Sequence, residues 1–368
     1  MVADTGASHL LSYGKSVLTE AGLDNPARDA RFLLCAAAGC DIVKLSADPR
    51  IIFPEPVIIK YRDFLERRVK REPVQYIIGE WEFMGLPFIV NGDVLIPRAD
   101  TECLVENIVS ELNNRGRGAE TGTVPASGVR SASCVRPESG VRPESSVRPA
   151  SGMRLVSSVR PESGVRPESG VRSGLRILDL CTGSGCIAVS LAVMLKDSVF
   201  VAADISENAL CVAEKNAVLN KVRDRIFFAR GDLYSAVEAL PLSAFESGSP
   251  EGRVFAPAAS GTCERFAFDV ICANPPYIKR GDLEALPADV ALYEPIAALD
   301  GGADGLTFYR RIAEGAGRAL ARGGLLAVEA GAGQAGQIKE ILDRQMLVNI
   351  RSAYDLNGIE RVVMANSR

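Results

Sequence analysis

The feature that most constrains the fold is a regular alternation of short apolar runs and helical segments that begins at Leu175. Residues 175–180, 200–204, 225–230 and 268–272 form four such runs, and segments with helical spacing separate the first three. Parallel neighbouring strands need a crossover between them, which is usually a helix. The alternation therefore predicts an α/β fold with a doubly wound parallel sheet, in which ligands bind at the carboxyl ends of the strands.

A glycine-rich turn, residues 179–185, follows the first apolar run. Gly183 and Gly185 allow a ligand to approach the backbone closely, beside the first turn of the next helix. The turn lacks the third glycine of the dinucleotide-binding motif and the lysine of a P-loop, which disfavours NAD and ATP.

Acidic residues follow the second and third apolar runs. Asp204 ends the second run, where it can accept hydrogen bonds from ribose hydroxyls. Asp232, with Leu233 after it, follows the third run and would flank an adenine. Together these residues favour a nucleoside-bearing cofactor, and the alternative is that the acids only cap helices.

The fourth run ends in Asn274-Pro275-Pro276-Tyr277, named here the Asn-Pro-Pro-Tyr loop. The two prolines cannot donate ladder hydrogen bonds, so they terminate the strand and stiffen the loop. Asn274 and Tyr277 are therefore expected at the ligand-binding edge of the sheet. Without a cofactor and a substrate, the same sequence would be an ordinary strand-to-loop boundary.

Residues 8–70 carry helical patterns and almost no strand patterns. Helices are predicted over about residues 8–22, 26–39 and 56–70, with glycine or proline at several of their ends. The last turn of the third helix is strongly basic, which either complements the helix dipole or provides a contact for an acidic partner or RNA. This region is predicted to be a small helical domain that recognises a partner.

Residues 72–114 change to a mixed pattern. Residues 81–83 and 86–90 predict a hairpin, and residues 94–96 predict a brief strand. Thr101 is the predicted N-cap of the helix that follows. The segment before this helix either caps it or forms a lid or a ligand-facing loop.

Two segments are predicted to be inserts without a packed core. Residues 115–173 repeat the unit Val-Arg-Pro-Glu-Ser-Gly with a six-residue period, and residues 241–265 are a shorter polar stretch. A β-solenoid can have this period, but one valine per six residues cannot bury enough apolar surface to offset the ordering entropy. The longer segment is therefore predicted to be disordered.

The composition excludes several classes of protein. Hydrophobic residues make up 47% and charged residues 24%, as in globular proteins, and the net charge of -4 disfavours a general nucleic-acid binder. No run approaches ~18 apolar residues, and no secretory signal is evident, so a cytoplasmic protein is expected. The nine cysteines have no CxxC spacing and the only histidine is His9, so reduced structural thiols are expected rather than a metal site.

Residues 179–185, Asp204, residues 231–232 and the Asn-Pro-Pro-Tyr loop together resemble the class I S-adenosylmethionine-dependent methyltransferases, which have a Rossmann-like domain. The Asn-Pro-Pro-Tyr form belongs to members that methylate a planar NH2 group, either adenine N6 or a glutamine side-chain amide. Further segments resemble the peptide chain release factor glutamine N5-methyltransferases. These segments are residues 72–79, 83–86, 95–102 and 293–310.

The resemblance implies an enzyme that transfers a methyl group from S-adenosyl-L-methionine to the side-chain N5 of the glutamine in the Gly-Gly-Gln motif of release factors. The Asn274 side-chain oxygen and the Pro275 carbonyl would accept hydrogen bonds from the substrate NH2, and Tyr277 would pack against the flat amide. These three are the implied catalytic residues, and with Pro276 they form the implied substrate site. The implied cofactor-binding residues are Cys181, Thr182, Gly183, Ser184, Gly185, Asp204, Asp232, Leu233 and Asn274, and no metal is implied.

The same family implies the organisation of the chain. We expect a helical release-factor-binding domain at residues 1–75, a hairpin and linker helix at 76–114, the long insert at 115–173 and the methyltransferase domain at 174–368. The expected partner is a release factor, without sequence-specific nucleic acid or a membrane, and the expected state is a monomer.

Two residues depart from the family pattern. Cys181 stands where many relatives have glycine, and Ala99 stands where they commonly have proline. Because cysteine is small, cofactor binding is expected to survive if residue 181 keeps a negative φ.

Two alternative functions remain open at this point. An adenine-N6 DNA or RNA methyltransferase would need a basic cleft, whereas this chain is acidic and its additional domain is small and helical. An inactive cofactor-binding regulatory module would have no reason to keep both Asn274 and Tyr277.

Overall fold

The protein is described by a computed structural model. The described residues are 6–47, 51–121, 174–238 and 267–368. The two predicted inserts lie outside these residues, except that residues 115–121 continue a helix.

The N-terminal region is helical, as predicted. The sequence pattern predicts three of its helices, whereas α3 and α5 have only six and five residues, too few to show a helical period. The helices are α1 (Ala7–Glu20), α2 (Pro26–Ala38), α3 (Ile42–Ala47), α4 (Glu55–Val69) and α5 (Val74–Ile78).

Tyr61 of α4 organises the core of these helices. It is fully buried, and its hydroxyl donates to the carbonyl of Leu10 at 3.3 Å. A Cβ at Gly14 of α1 would lie 1.9 Å from the Tyr61 hydroxyl. The two helices approach closely because residue 14 has no side chain.

The basic end of α4 forms contacts within the protein. Arg67 forms an ion pair with Glu72 at 2.5 Å, and Arg71 donates to the carbonyl of Ala21 at 3.2 Å. Arg68 is paired with the buried Asp29 at 2.9 Å. Arg67, Arg68 and Arg71 are therefore engaged within the protein, whereas Lys70 is exposed.

Replacing Arg68 with alanine is expected to lower the free energy of unfolding by about 3 kcal/mol, because it would break a buried ion pair. The value is at the lower end of the usual range, since Arg28 still lies 3.3 Å from Asp29. Thermal and urea unfolding would measure the change. Arg62→Ala is the matched control, because Arg62 is an exposed residue of the same helix. Equal stability of the two variants would contradict the prediction.

The hairpin, strands β1 (Glu80–Phe83) and β2 (Leu86–Ile89), is antiparallel and attached to the following domain. The Asn216 side chain is fully buried and exchanges hydrogen bonds with the Ile89 backbone, accepting at 2.6 Å and donating at 3.0 Å. The amide of Asn216 also donates to the carbonyl of Ser184 at 2.8 Å. One side chain thus joins the hairpin to the glycine-rich turn.

Two predictions for the segment after the hairpin are wrong. Residues 94–96 do not form a strand, and none of the described strands pairs with them. Helix α6 (Ala99–Thr121) begins before Thr101, which lies in its first turn rather than at the N-cap. The Thr101 hydroxyl instead donates to Glu329.

A seven-stranded sheet forms the centre of the second domain, with the strand order β5-β4-β3-β6-β7-β9-β8. Its strands are β3 (Arg176–Leu180), β4 (Val199–Asp204), β5 (Ile226–Arg230), β6 (Phe268–Ala273), β7 (Leu320–Glu329), β8 (Val348–Tyr354) and β9 (Glu360–Asn366). The first five are parallel, as predicted, whereas β9 is antiparallel to both of its neighbours. The final two strands form a hairpin at one edge.

Helices cover both faces of the sheet, as a doubly wound fold requires. The additional helices are α7 (Cys186–Met194), α8 (Glu207–Leu219), α9 (Ser235–Glu238), α10 (Ala288–Tyr293), α11 (Thr307–Ala319) and α12 (Ala335–Arg344). Helices α6, α7 and α8 pack on one face, and α9, α11 and α12 pack on the other. Within the described ranges, no helix has the length and apolar character needed to cross a membrane.

The strand order places the site. From β3 the chain proceeds outward to β4 and β5, then returns to the other side of β3 as β6. The crevice between β3 and β6 is therefore a topological switch point, where ligands bind in open α/β sheets. The glycine-rich turn follows β3 and the Asn-Pro-Pro-Tyr loop follows β6, so the two predicted motifs lie side by side.

Candidate functional site

A cavity of about 660 Å³ opens at the carboxyl ends of β3, β4, β5 and β6. Most of the predicted site residues line it, whereas Gly185, Pro275 and Tyr277 do not. The predicted residues in its wall are Cys181, Thr182, Gly183, Ser184, Asp204, Asp232, Leu233, Asn274 and Pro276. The wall also contains Arg98 and Thr101, from the segment for which the sequence offered a ligand-facing loop as one alternative. The sequence prediction missed other wall residues, among them Asp93, Arg280, Ile296, Phe308 and Arg311.

The buried carboxylate of Asp179 stabilises the glycine-rich turn. Its carboxylate accepts hydrogen bonds from the Thr182 hydroxyl at 2.6 Å and from the Ala188 amide at 3.2 Å. The side chain is fully buried, and burial raises the pKa of Asp179 to about 7. Asp179 therefore shapes the turn rather than facing the cavity.

The backbone of the turn differs from the expectation at Cys181. Its φ is 58°, in the left-handed region, so the negative φ on which the expectation for cofactor binding depended is not present. A side chain costs about 1–2 kcal/mol in this conformation, which explains why glycine would be favoured there. Gly185 also has a positive φ, 79°, and a Cβ on it would lie 2.9 Å from the Cβ of Ala213. This glycine is needed for packing against α8.

Asp204 connects the turn to the end of β4. Its carboxylate accepts from the amides of Gly183 and Ser206, both at 2.9 Å. Burial raises its pKa, while these two hydrogen bonds act in the opposite direction. Each carboxylate oxygen can accept a further hydrogen bond, so the side chain can receive ribose hydroxyls from a ligand in the cavity.

Asp232 lines the cavity and forms an ion pair with Arg311 of α11 at 2.7 Å. Leu233, which follows it, has a φ of 53° and is buried. The ion pair between Asp232 and Arg311 joins the end of β5 to α11 at the wall of the cavity. Arg311 is a contact that local sequence patterns did not predict.

Asn274 is held by a chain of side-chain hydrogen bonds. Its amide Nδ2 donates to the Thr101 hydroxyl oxygen at 3.1 Å, and that hydroxyl donates to Glu329 Oε2 at 2.6 Å. Both Thr101 and Glu329 are buried. The amide oxygen of Asn274 receives no hydrogen bond from another described residue, so it remains available as an acceptor.

Tyr277 is held at both its backbone and its hydroxyl. Gln334 donates to its carbonyl at 3.0 Å, and the Tyr277 hydroxyl donates to Glu329 Oε1 at 3.5 Å. A Cβ at Gly301 would lie 2.7 Å from the Tyr277 Cα, and one at Gly305 would lie 2.4 Å from its carbonyl oxygen. Close packing against the Tyr277 backbone therefore explains the two glycines, which lie in the family-like segment 293–310.

Glu329 is the buried acid that the sequence prediction missed. It ends β7 with 1% of its surface exposed, and burial raises its pKa to about 7. A usable signal was present, because Glu329 follows an apolar run just as Asp204 does. The carboxyl ends of parallel strands lie at one edge, so such an acid is a candidate site residue.

The segment before α6 lines the cavity, which supports the ligand-facing loop over a simple cap. Arg98 lines the cavity and donates a hydrogen bond to the buried Glu294, which precedes Pro295 in the cavity wall. Burial raises the pKa of Glu294, and Arg98 lowers it. The two family-like segments at 95–102 and 293–310 therefore meet in one ion pair.

Comparisons with known proteins cover almost the whole chain. A family model described as the PrmC N-terminal domain matches residues 9–79, and one described as ribosomal protein L11 methyltransferase (PrmA) matches residues 166–239. A release factor glutamine methyltransferase of Geobacter sulfurreducens is 34% identical over 355 residues, covering 96% of this chain and 94% of that protein. A relative of the same name from Rhodospirillum rubrum is 31% identical, covering 98% and 84%.

Solved structures of methyltransferases are also similar, but more distantly. A methyltransferase from Pyrococcus furiosus is 17% identical with a TM-score of 0.34, covering 53% of this chain and 76% of that one. TrmN from Thermus thermophilus is 22% identical with a TM-score of 0.33, covering 53% and 45%.

Proposed function

The chain belongs to the release factor glutamine methyltransferase family, and from this premise we propose that its cavity holds S-adenosyl-L-methionine beside the glutamine side chain of a peptide chain release factor. The enzyme is a protein-(glutamine-N5) methyltransferase. The acceptor is the glutamine of the release factor's Gly-Gly-Gln motif. The enzyme acts as a monomer in the cytoplasm, where translation terminates.

The residues present fit this cofactor. A cavity of about 660 Å³ lies within the ~300–1,000 Å³ range of ligand pockets. A Cβ on Gly183 would meet nothing within 4 Å, so the backbone there borders open space. Asp204 presents acceptors for ribose hydroxyls, and the cofactor-binding role extends over residues 181–184, Asp232 and Leu233. Gly185 lies outside the cavity wall, and Asn274 is assigned to the substrate. S-adenosylmethionine, when bound, supplies a methyl group that its sulfonium already activates.

The chain's own task is to make an amide nitrogen a usable nucleophile, because its lone pair is delocalised into the carbonyl. The Asn274 side-chain oxygen and the Pro275 carbonyl accept hydrogen bonds from the substrate NH2. These acceptors orient the nitrogen and stabilise the positive charge that develops on it. As the nitrogen gains the methyl group, it releases one proton to solvent.

One observation carries the proposed role of Asn274. The Thr101 hydroxyl donates its only proton to Glu329, so its oxygen can face only a donor on Asn274. With Glu329 ionised, the NH2 of Asn274 therefore points to Thr101, which leaves its oxygen for the substrate. Tyr277 packs against the flat substrate amide, and the prolines at 275 and 276 keep the loop stiff.

We assign release-factor recognition to the helical domain at residues 1–75. The basic end of α4 supports this over the nucleic-acid alternative, because Arg67, Arg68 and Arg71 are engaged within the protein. Nucleic-acid binding depends on arginine and lysine side chains that are free to neutralise phosphates.

The proposal is tested by incubating the purified full-length protein with methyl-labelled S-adenosylmethionine and a purified release factor. Label is expected in the release factor, on the glutamine of the Gly-Gly-Gln motif, as mapped by mass spectrometry. A release factor with that glutamine changed to alanine is the matched control and should remain unlabelled. Label in DNA or RNA, with none in the release factor, would refute the proposed substrate.

A further inference from the structure

Glu329, on the neighbouring strand, is linked by hydrogen bonds to both ends of the Asn-Pro-Pro-Tyr loop, directly to Tyr277 and through Thr101 to Asn274. One carboxylate oxygen accepts from Thr101 at 2.6 Å, and Thr101 accepts from Asn274 at 3.1 Å. The other oxygen accepts from the Tyr277 hydroxyl at 3.5 Å. Tyr309 anchors the strand end itself, since its hydroxyl donates to the Glu329 carbonyl at 2.8 Å.

The direction of these hydrogen bonds depends on the charge of Glu329. An ionised carboxylate only accepts, so Thr101 must donate to it and accept from the NH2 of Asn274. A protonated carboxyl can donate to Thr101 instead. The hydroxyl proton of Thr101 would then compete with the NH2 of Asn274, and the amide would lose its fixed orientation.

We propose that Thr101 and Glu329 are a positioning pair for the methyl transfer, with ionised Glu329 directing the Asn274 oxygen toward the substrate nitrogen. Neither residue touches the reacting atoms in this assignment; they act through Asn274. The inference rests on the proposed function, because it presumes that Asn274 accepts a hydrogen bond from the substrate amide. It adds to the proposed function a dependence of methyl transfer on the protonation state of the buried Glu329.

The groups around Glu329 bring the pKa of its carboxyl close to neutral pH. Burial raises its pKa to about 7, and Asp100 of α6 also raises it. Arg361 of β9 and the hydroxyls of Thr101 and Tyr277 lower it. Arg361 is shared between Asp100 at 2.9 Å and Asp355 at 3.1 Å, so its charge is largely balanced. Tyr309 of α11 and Cys186 of α7 also face the carboxylate.

The sign of the pH dependence follows from the ionised form being the active one. Turnover should be highest above the pKa of Glu329 and should fall as the pH is lowered through about 7. Asp179 has a pKa raised to the same region, so the pH profile of the unmodified enzyme does not by itself identify the group. Substitution of Glu329 identifies which group the profile reports.

The experiment compares Thr101→Val, Thr101→Ser and Glu329→Gln in the full-length enzyme. Thr101→Val keeps the shape and removes the hydroxyl, so kcat is expected to fall by up to about 100-fold. Thr101→Ser restores the hydroxyl and should restore most of kcat. Glu329→Gln should be slower and should lose the fall in kcat below neutral pH. Glu340→Gln, on the exposed face of α12, is the control and should keep the profile of the unmodified enzyme.

Each outcome bears on one of the two proposals. Equal loss in Thr101→Val and Thr101→Ser, or an unchanged pH profile in Glu329→Gln, would overturn the positioning pair. If Asn274→Ala is inactive while Thr101→Val is fully active, the proposed function stands and the positioning pair fails. If Asn274→Ala is fully active, the role assigned to Asn274 fails and the positioning pair fails with it, whereas the proposed function itself fails only if the unmodified enzyme transfers no label to the release factor. Calorimetric binding of S-adenosylhomocysteine and the melting temperature confirm that each variant is folded.

Discussion

Replacing Asn274 with alanine is expected to lower kcat for release-factor methylation by about 10²–10³-fold, the usual effect of removing one preorganised polar group from a reaction site. The variant loses the acceptor that orients the substrate NH2, while the cofactor contacts of Asp204 are unchanged. Affinity for the cofactor should therefore stay nearly constant. Initial rates with labelled S-adenosylmethionine and calorimetric binding of the cofactor would measure the two effects separately.

The control for this variant is Asn357→Ala, because Asn357 is an exposed residue in the turn between β8 and β9. It should keep full activity and full stability. A folded Asn274→Ala enzyme with unchanged turnover would refute the role assigned to Asn274. A large loss of cofactor affinity in the same variant would instead make Asn274 chiefly a cofactor ligand.

Replacing Asp204 with asparagine is expected to weaken cofactor binding by about 10- to 100-fold. Hydrogen bonds to a charged group contribute about 1.5–3 kcal/mol, and 1.4 kcal/mol is about tenfold in Kd. Asparagine keeps one acceptor oxygen and loses the charge. The turn should also lose some stability, because the Asp204 carboxylate accepts from the amides of Gly183 and Ser206.

The Asp204→Asn and Asn274→Ala variants are expected to differ in whether saturating cofactor restores turnover. At saturating cofactor, Asp204→Asn should recover most of its turnover, whereas Asn274→Ala should not. Titration calorimetry with S-adenosylhomocysteine gives Kd, and initial rates over a range of cofactor concentrations give KM. Asp343→Asn, an exposed residue near the end of α12, is the control. An Asp204→Asn protein that binds the cofactor as tightly as this control would contradict the assigned role.

The parts of the fold that could be predicted are those that repeat along the chain. Alternating strands and helices identified the parallel sheet because burial on both faces makes each strand apolar. The residues at strand ends, such as Asp204 and Asn274, followed from the same pattern, since parallel strands end at one edge. Proline and glycine identified the loops there because these residues restrict or widen the allowed backbone angles.

Backbone conformation at one site residue was not predictable from its type. Cysteine at position 181 favours a negative φ, yet the residue has a φ of 58°. The preceding strand and the following helix determine the path of the turn, and residue 181 has to adopt it. The strand expected at residues 94–96 failed for a related reason, since strand formation depends on a partner that local sequence does not reveal.

By itself, the sequence determined the class of fold, the family, and the residues that meet at the switch point between β3 and β6. Only the tertiary structure placed Thr101 and Glu329 beside Asn274. Thr101 lies 173 residues before Asn274 and 228 residues before Glu329. Periodicity along the chain records which residues are buried and in which kind of element. The partner of a buried hydrogen-bonding side chain depends instead on strand order and on the docking of α6, which become defined only when the sheet is assembled.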